Sequence, residues 1–412
     1  MAMAEALRQR GHDVTLMPLY LPATAYLSAP EDAPVFYGAV SLFLRHRYAF
    51  FRRLPRSWFA PLDSWPILRF AARFAGATSP AGLEDLTLSM LRGPDGRQAD
   101  ELKLVAKWLA DLPPSKRPER IMLSNTLLAG LAKTLKQAAH CPVVCWLQDE
   151  HVWTDAMDPQ LRAPVLRAIS DDARDIDRFI AVSAAYAQRM TPLLGLDPRH
   201  VTVIFPCLGP NAYRPTDVAR RPATIGFLSR LSAEEGFDRF VDAFILLRRD
   251  PRFAGVRLSA TGGPSADRHD LKRQLKKLSR ARLLTDVAIT PGRFSQDRNG
   301  FLSELTILSV PGGGETPEAF GYYAIEAMAA GVPVVLPAQG AFPEIAAAAG
   351  CGLLIEDTSP SALAHAWAGL LADPERLRRE SERGKEAALN TFSQRVAAEA
   401  MERFLTPLSE PL

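Results

Sequence analysis

Residues 309–345 read SVPGGGETPEAFGYYAIEAMAAGVPVVLPAQGAFPEI, and this stretch decides the predicted fold. The apolar run 305–310 predicts a strand, the glycines at 312–314 predict a turn, and residues 320–330 predict a helix that ends at Gly331. Free amides and the helix dipole favour phosphate at such a helix N-terminus, and glycines let the backbone approach it. The stretch therefore predicts an anion site, although a glycine turn by itself often only connects two elements.

Two carboxylates strengthen that prediction. Glu318 lies just before the predicted helix and Glu326 lies within it, with seven residues between them. At about 100° per residue they cannot stack on one helix face, so they would address different parts of an extended ligand. Carboxylates accept hydrogen bonds from sugar and ribose hydroxyls. The alternative is a solvated Glu318 and a Glu326 that only pairs locally.

Strand-length apolar runs alternate with helical periodicity through most of the chain, which predicts an α/β fold with parallel sheets covered by helices. Prolines and polar residues over 206–222 predict a linker between two doubly wound domains. The predicted strands are 13–19, 120–124, 142–147, 179–182, 201–205, 224–228, 256–261, 287–290, 305–310 and 332–336.

The composition indicates a globular protein and excludes several classes. The chain has 412 residues, of which 47% are hydrophobic and 23% charged, and its formal charge is +3. That charge is too small to indicate a nucleic-acid partner. Because the basic residues are nine lysines and forty arginines, we expect an anion site to be built from arginine. No apolar run reaches the roughly 18 residues that span a bilayer.

The cysteines and the N-terminal residues predict a cytoplasmic protein. No two of the four cysteines form a Cys-x-x-Cys pair, and none lies at zinc-ligand spacing with histidines. The first residues also lack the pattern of a secretory signal. We therefore expect reduced thiols at Cys141, Cys145, Cys207 and Cys351.

Residues 35–74, VFYGAVSLFLRHRYAFFRRLPRSWFAPLDSWPILRFAARF, are crowded with aromatic residues and arginines. They predict an inserted helical excursion over about 35–75. One interpretation is a basic and aromatic surface that touches anionic lipid or an amphiphilic acceptor, because arginines attract phosphates while Phe and Trp settle at the interface. The other is an amphipathic helical pair packed on its own domain.

Several ordered motifs resemble one family. PEAFGYYAIEAMAAGVPVV at 317–335, followed by GAFPEI, is similar to the donor-site signature of the retaining glycosyltransferases of family four, also called glycosyl transferases group 1. Three further segments resemble that family: IGFLSRLSAEEGFDRFVDAFILL, GCGLLIEDTSPSALAHAWAGLLADPERL and RFIAVSAAYAQRM. The resemblance is best over 222–395. It implies the GT-B fold, in which two Rossmann-like domains face each other across a cleft.

The resemblance also implies a reaction and a site. The reaction is transfer of a sugar from a nucleotide-sugar to an acceptor hydroxyl, with retention at the anomeric carbon and without an obligatory metal or other cofactor. Glu318 would hold hydroxyls of the donor sugar, and Glu326 would hold those of the ribose. Arg293 lies where the family's backbone meets the base. The amides that would line the sugar and diphosphate are those of Ala319, Phe320, Gly321 and Tyr322.

One position departs from the family at the leaving group. A departing diphosphate builds negative charge, which preorganised cations stabilise. The family supplies an Arg and a Lys from an Arg-Leu-x-x-Glu-Lys-Gly segment, but residues 230–236 here read RLSAEEG. Arg230, unless it is only a surface arginine, is therefore a predicted catalytic residue, and Glu235 stands where the lysine is expected. Either turnover is impaired, or an arginine elsewhere in the chain supplies the missing positive charge, such as Arg239, Arg293 or Arg298.

A second departure lies at residues 143–153, VVCWLQDEHVW. The family commonly places a His-Asp or His-Glu pair here, facing the donor sugar. The aligned residues are Gln148 and Asp149, which we predict as catalytic-site residues together with Glu318. A glutamine can hydrogen-bond a sugar hydroxyl but cannot become a cation. An acidic residue near a helix start also stabilises the helix dipole without catalysis, and His151 is equally explained as an ordinary polar residue.

The predicted domains are an acceptor-side domain at 1–208, a nucleotide-sugar donor domain at 209–395, and a C-terminal helix or tail at 396–412 that packs back on the first domain. Family members begin with a strand and a Gly-Gly loop before the first helix. Here MAMAEALRQRGHDV aligns with the end of that helix. The resemblance therefore predicts that this strand and loop are missing from the sequence.

The leading hypothesis is an active retaining hexosyltransferase of cell-envelope or polysaccharide synthesis. Glu235, Gln148 and the missing loop favour the alternative, a catalytically impaired protein of the same fold that binds a nucleotide-sugar or acts as a scaffold. A nucleotide-sugar epimerase or hydrolase is a third hypothesis. The expected partners are a nucleotide-sugar donor and an acceptor glycan, lipid-linked sugar or small metabolite, with peripheral contact at the inner membrane face.

Overall fold

The chain forms two compact units, each built around a parallel sheet. The smaller unit comprises Gly11–Val182 and Ala187–Val203, and the larger unit comprises Met1–Arg10, Ser183–Tyr186 and Ile204–Leu412. We predicted a division between residues 208 and 209, whereas the units divide between 203 and 204. The computed structural model describes residues 2–17, 84–209, 213, 218, 222–262, 268–292, 297–312 and 317–406. The predicted excursion at 35–75 and Arg293 lie outside these residues.

The smaller unit contains a four-stranded parallel sheet in the order β1-β2-β3-β4. Its strands are β1 Ile121–Leu123, β2 Val143–Leu147, β3 Arg178–Ala181 and β4 Val201–Val203. The strand β2 is apolar along its whole length, as expected for a parallel strand covered on both faces. The helices of this part of the chain are Glu84–Leu91, Ala99–Ala110, Ala132–Ala139, Glu150–Thr154, Pro159–Asp172 and Ala184–Leu194.

The larger unit contains a six-stranded parallel sheet in the order β10-β9-β8-β5-β6-β7. Its strands are β5 Thr224–Leu228, β6 Arg257–Thr261, β7 Val287–Ile289, β8 Ile307–Ser309, β9 Val334–Pro337 and β10 Leu353–Ile355. Its helices are Ala2–Gln9, Phe237–Leu247, Arg268–Arg280, Arg298–Ser303, Tyr322–Ala329, Phe342–Ala349, Pro360–Ala372, Pro374–Asn390 and Gln394–Leu405. The α/β class and the parallel sheets predicted from the sequence are confirmed.

Aromatic residues form the centre of the larger unit's core. The ring of Phe240 lies 5.2 Å from that of Phe227 on β5 and 5.1 Å from that of Trp367. The helix Phe237–Leu247 carries apolar residues at 237, 240, 241, 244 and 247, and all of them are buried. That spacing gives the helix one apolar face towards the sheet. Removing one such ring costs about 3–5 kcal/mol of stability, so this core fixes the position of β5.

The two ends of the described chain meet in the larger unit. The N-terminal helix Ala2–Gln9 packs against the C-terminal helix Gln394–Leu405. Arg10 forms a 2.7 Å ion pair with Glu402, and the side chain of Gln394 donates to the carbonyl of Ala2 at 2.9 Å. The predicted C-terminal helix therefore packs on the N-terminal helix, and both belong to the larger unit.

One predicted strand is wrong over its described part. Residues 13–17 form no strand, although their alternating pattern favours one. A strand exists only through hydrogen bonds to a neighbouring strand, and 13–17 join neither of the two sheets. The other nine predicted strands form, with ends that shift by up to two residues.

The thiols carry no metal or disulfide chemistry in the described structure. Cys141, Cys145, Cys207 and Cys351 are all buried and free, and burial raises the pKa of each thiol. Buried thiols with raised pKa values are poor nucleophiles. In the part of the chain that the structure describes, no three His, Cys, Asp or Glu residues are grouped so that they could hold a metal ion. No described helix is long and apolar enough to cross a membrane.

Candidate active site

The sheet of the larger unit has a topological switch point between β5 and β8. From β5 the chain continues to β6 and β7 on one side, and it then crosses to β8, β9 and β10 on the other. In open parallel sheets, ligands bind outside the carboxyl ends of the strands at such a point. Arg230 follows β5, and Gly312 follows β8. The topology therefore indicates a ligand site near these two residues.

The loops that follow β5 and β8 touch each other. Gly236 has φ +76°, and a Cβ atom there would lie 2.3 Å from the carbonyl oxygen of Gly312. Only glycine fits this close approach. The guanidinium of Arg239 donates to the same Gly312 carbonyl and to the hydroxyl of Thr358. Arg239, one of the arginines expected to replace the missing lysine, is thus hydrogen-bonded to the loop that follows β8.

Glu235 binds the arginine that we predicted to face the leaving group. Nε and Nη2 of Arg230 donate to Oε1 of Glu235 at 3.0 and 2.6 Å. The Ser229 hydroxyl donates to Oε2 of Glu235 at 3.1 Å. The Arg230 side chain is 49% exposed, whereas that of Glu235 is only 16% exposed. Both oxygens of this carboxylate are therefore used within the loop that follows β5.

Glu318 and Glu235 share a neighbour, the phenol of Tyr323. The Tyr323 hydroxyl donates to Oε1 of Glu318 at 3.5 Å. Burial raises the pKa of Tyr323 well above its usual value, and the negative charges of Glu318 and Glu235 raise it further. The phenol therefore stays protonated as a donor, and the negative charges of both carboxylates act on it.

The segment between Glu318 and Glu326 forms the helix N-terminus that the sequence predicted. The helix is Tyr322–Ala329, with Gly321 in the left-handed conformation at φ +72° as its N-cap. A Cβ atom on Gly321 would lie 2.3 Å from the ring of Phe342, so glycine is required here. The first amides of a helix have no acceptor within it. The Tyr322 hydroxyl donates to the Cys207 carbonyl at 2.8 Å.

Ser183 fixes the backbone just before this helix. Its buried hydroxyl donates to the carbonyl of Ala319 at 2.6 Å and accepts from the amide of Tyr186 at 3.0 Å. Phe320, also buried, shares the peptide bond whose carbonyl Ser183 holds. The sequence contains no local signal for this contact, because the two partners lie 136 positions apart.

Glu344, from the GAFPEI turn, has a structural role in the same unit. Its carboxylate accepts from the amides of Ala184 and Ala185 at 2.8 and 2.9 Å. These amides begin the helix Ala184–Leu194, where they have no intrahelical acceptor. A carboxylate at this end also interacts favourably with the helix dipole.

Glu326 is almost fully buried, at 1% exposure. Its Oε1 atom accepts from the Tyr213 hydroxyl and from Nη1 of Arg298. Its Oε2 atom is also buried, and no described residue donates to it. Burial raises the pKa of Glu326, opposed by Arg298 and Tyr213. Local pairing thus accounts for one oxygen only, and the other is a buried acceptor without a described donor.

The sequence did not predict the two side chains that donate to Glu326. Tyr213 was not predicted, because a tyrosine within the proline-containing segment 206–222 gives no periodic signal. Arg298, named as a cation that could replace the lysine at the leaving group, forms an ion pair with Glu326.

The remaining predicted residues, Gln148, Asp149 and His151, belong to the smaller unit. The Gln148 amide donates to the Ser124 carbonyl at 2.6 Å, which holds it against the segment that follows β1. Asp149 has a left-handed backbone, with φ +59°. Burial removes part of the water around the Asp149 carboxyl, and this raises the pKa of Asp149.

His151 is a buried neutral imidazole. It is 2% exposed, and burial lowers its pKa to about 4, helped by Arg189 and opposed by Asp155. Arg189 and Asp155 form a 2.6 Å ion pair with each other. His151 is therefore uncharged near pH 7. The neighbouring Glu150 accepts from the Thr126 amide at 3.0 Å, so it stabilises the local backbone.

The part of the chain that contains the switch point matches a known family. Residues 214–387 match the family described as glycosyl transferases group 1. This match confirms, over these residues, the resemblance found in the sequence. The matched region contains Arg230, Glu235, Glu318 and Glu326.

Curated relatives match about half of the chain. A D-inositol 3-phosphate glycosyltransferase of Mycobacteroides abscessus is 28% identical over 227 residues, which cover 53% of this chain and 48% of that protein. One from Nocardia farcinica is 30% identical over 229 residues, which cover 52% of this chain and 50% of that protein. The chain thus spans about half the length of these relatives.

Solved structures confirm the GT-B fold expected from the sequence. Anabaena HepE in complex with UDP has a TM-score of 0.62 at 18% identity, covering 80% of this chain and 97% of that one. HepE has also been solved in complex with UDP-glucose, with a TM-score of 0.60 at 18% identity over 75% of this chain and 82% of that one. Sucrose-phosphate synthase from Thermosynechococcus elongatus has a TM-score of 0.59 at 19% identity, covering 76% and 80%.

Proposed function

We propose that the protein is a glycosyltransferase that moves a sugar from a nucleotide-sugar to an acceptor hydroxyl with retention of the anomeric configuration. The observation that carries the proposal is the buried Oε2 of Glu326, which has no described donor and lies on the helix that follows β8 in the chain. The match of residues 214–387 to glycosyl transferases group 1 supports the reaction class. The complex of HepE with UDP-glucose supports the donor class.

Glu326 would recognise the ribose of the donor. Tyr213 and Arg298 both donate to Oε1, which fixes the plane of the carboxylate and leaves Oε2 for a ribose hydroxyl. A hydrogen bond to a charged acceptor contributes about 1.5–3 kcal/mol. The carboxylate would therefore favour a ribonucleotide over its deoxy counterpart.

The sugar and the diphosphate would lie between Glu318 and the N-terminus of Tyr322–Ala329. Glu318 accepts hydrogen bonds from sugar hydroxyls, and the amides of Ala319, Phe320, Gly321 and Tyr322 stabilise the phosphates. In the transfer, the bond from the anomeric carbon to the diphosphate breaks and the acceptor oxygen bonds to that carbon on the same face. The acceptor's proton passes to the departing phosphate oxygen, and the nucleoside diphosphate leaves. Arg230 would stabilise the charge left on the diphosphate. We propose that this step needs no metal ion or other cofactor.

Gln148 and Asp149 would complete the catalytic set, with Arg293 near the base. The donor sugar is proposed to be a hexose. The acceptor would be a glycan, a lipid-linked sugar or a small metabolite of cell-envelope or polysaccharide synthesis. The corresponding location is the cytoplasm, with peripheral contact at the membrane.

The Arg230–Glu235 ion pair favours a second candidate function. It neutralises the proposed leaving-group cation, and Arg239 and Arg298 have other partners. A protein with this pair could bind a nucleotide-sugar without turning it over.

The test is incubation of the whole chain with UDP-, GDP- and ADP-hexoses, with and without acceptors that include D-inositol 3-phosphate. Released nucleoside diphosphate and binding affinity are measured together. Acceptor-dependent release, with an NMR spectrum showing the donor's anomeric configuration in the product, is the expected result. Binding without release supports the second function, and release without acceptor supports a hydrolase. Absence of both binding and release contradicts all three.

A further inference from the structure

We propose that Glu235 is an internal competitor for the donor's phosphates, whose carboxylate must leave Arg230 when a nucleoside diphosphate binds. This inference rests on the proposed function and adds a residue that sets the affinity of the same site. In the structure, two N–H groups of Arg230 point at a single carboxylate oxygen, at 3.0 and 2.6 Å. The same two N–H groups suit a phosphate oxygen, because the guanidinium fork matches carboxylate and phosphate alike.

The location of this pair supports competition at a ligand site. Ser229 and Arg230 directly follow β5, at the switch point of the sheet. Arg230 is half exposed, so a ligand can reach the guanidinium. The pair does not serve as a structural ion pair in the core, since pairs with this exposure contribute little to stability.

Glu235 is held more firmly than its partner. Its side chain is 16% exposed, and its second oxygen accepts from Ser229 at 3.1 Å. Its backbone lies in a turn in which the Glu235 amide donates to the Ser232 carbonyl at 3.3 Å. The next residue is the left-handed Gly236, whose Cα lies against the second loop. The turn is therefore fixed, and the contact opens only when the Glu235 or the Arg230 side chain rotates.

A displaced Glu235 carboxylate loses the guanidinium that neutralises its charge. Its charge already acts on Tyr323, as does the charge of Glu318. The neighbouring cation Arg239 is bonded to Gly312 and Thr358. The carboxylate would thus stay close to the incoming diphosphate and repel it. A neutral side chain of the same shape at position 235 removes both the competition and the repulsion.

The experiment compares Glu235→Gln with the matched control Glu234→Gln, which removes the same charge at an exposed neighbouring position. Affinities for UDP, GDP and ADP are measured by calorimetry on the full chain, and thermal unfolding checks that each variant is folded. We expect Glu235→Gln to bind the preferred nucleotide about tenfold more tightly than the wild type. Glu234→Gln should bind it with unchanged affinity.

A double-mutant cycle tests the mechanism. Arg230→Ala should weaken binding by no more than about threefold in the wild type, because Glu235 already occupies the guanidinium. In the Glu235→Gln background it should weaken binding by about tenfold or more.

Equal effects of Arg230→Ala in the two backgrounds, or unchanged or weaker affinity of Glu235→Gln, would overturn the inference while the nucleotide site stands. If neither the wild type nor Glu235→Gln binds any of the three nucleotides, the proposed function fails, and the inference fails with it.

Discussion

The hydroxyl of Ser183 donates a 2.6 Å hydrogen bond to the carbonyl oxygen of Ala319. Because the peptide bond is planar and trans, fixing this carbonyl also fixes the direction of the Phe320 amide on the opposite side. That amide is one of the four expected to line the sugar and diphosphate. The orientation of this proposed donor-site amide therefore depends on a buried serine that lies two residues after β3.

Replacing Ser183 with alanine should weaken both stability and nucleotide binding. The buried Ala319 carbonyl would lose its donor, which costs about 1–3 kcal/mol of unfolding free energy. We expect severalfold weaker UDP binding by calorimetry. The matched control is Ser170→Ala, since Ser170 donates to the Leu194 carbonyl at 2.8 Å in the smaller unit. If the control weakens binding as much as Ser183→Ala, the positioning role is excluded.

Glu326→Ala should abolish discrimination at the ribose. The wild type should bind UDP about tenfold more tightly than its 2′-deoxy or 3′-deoxy analogue, because Oε2 accepts one of these hydroxyls. In the variant the two affinities should become equal, whatever its stability. Glu380→Ala is the control, because Glu380 is a carboxylate of the same unit that accepts from the Gly352 amide. An unchanged ratio in Glu326→Ala removes this residue from the nucleotide site.

Glu235→Lys should increase turnover. The substitution frees Arg230 from its ion pair and adds a second cation beside the departing diphosphate. We expect kcat for nucleoside diphosphate release to rise about tenfold or more, whereas Glu234→Lys, at an exposed position, should leave it unchanged. A decrease in kcat for Glu235→Lys with intact binding would mean that the carboxylate itself takes part in the reaction.

Asp172→Asn should stabilise the protein near neutral pH. Burial raises the pKa of Asp172 to about 6, and Asp175 and Asp171 add to the shift. Its Oδ2 atom is buried without a described partner. Between about pH 4 and 6 the native state binds more protons than the unfolded state, so the free energy of unfolding falls as the pH rises through this window.

We therefore expect Asp172→Asn to be about 1–2 kcal/mol more stable than the wild type at pH 7.5, allowing for partial solvent screening of the full shift. The difference should shrink as the pH is lowered towards 4. Chemical denaturation at both pH values measures it, with the exposed carboxylate variant Asp111→Asn as control. A difference that does not depend on pH would contradict the titration of Asp172.

The periodic elements were predictable because their signals are local. The strand β5 has the predicted bounds 224–228, and the helix expected over 320–330 forms at Tyr322–Ala329. The predicted strand 13–19 had the right alternation, but its described residues 13–17 lie in neither of the two sheets. An alternating pattern states which face of a strand would be buried, and it does not state which strand lies beside it.

The sequence predicted the candidate site residues that lie in family motifs, but it did not predict their partners. The resemblance identified Glu318 and Glu326 and the departure at Glu235, but the partners of these residues come from distant parts of the chain. Tyr213 lies 113 positions from Glu326, and no periodic signal reports such a pairing. The sequence indicated that Glu235 would repel a diphosphate. The ion pair of Glu235 with Arg230 also involves the left-handed turn at Gly236. Neither the composition of the sequence nor its hydrophobic periodicity reveals that turn.

The contact between the N-terminal and C-terminal helices has a consequence for synthesis of the protein. Ala2–Gln9 leaves the ribosome long before Gln394–Leu405, against which it packs, has been made. Contacts of such high sequence separation form late and slow folding. The smaller unit can complete its sheet while translation continues, whereas the apolar face of Ala2–Gln9 needs protection until Gln394–Leu405 emerges.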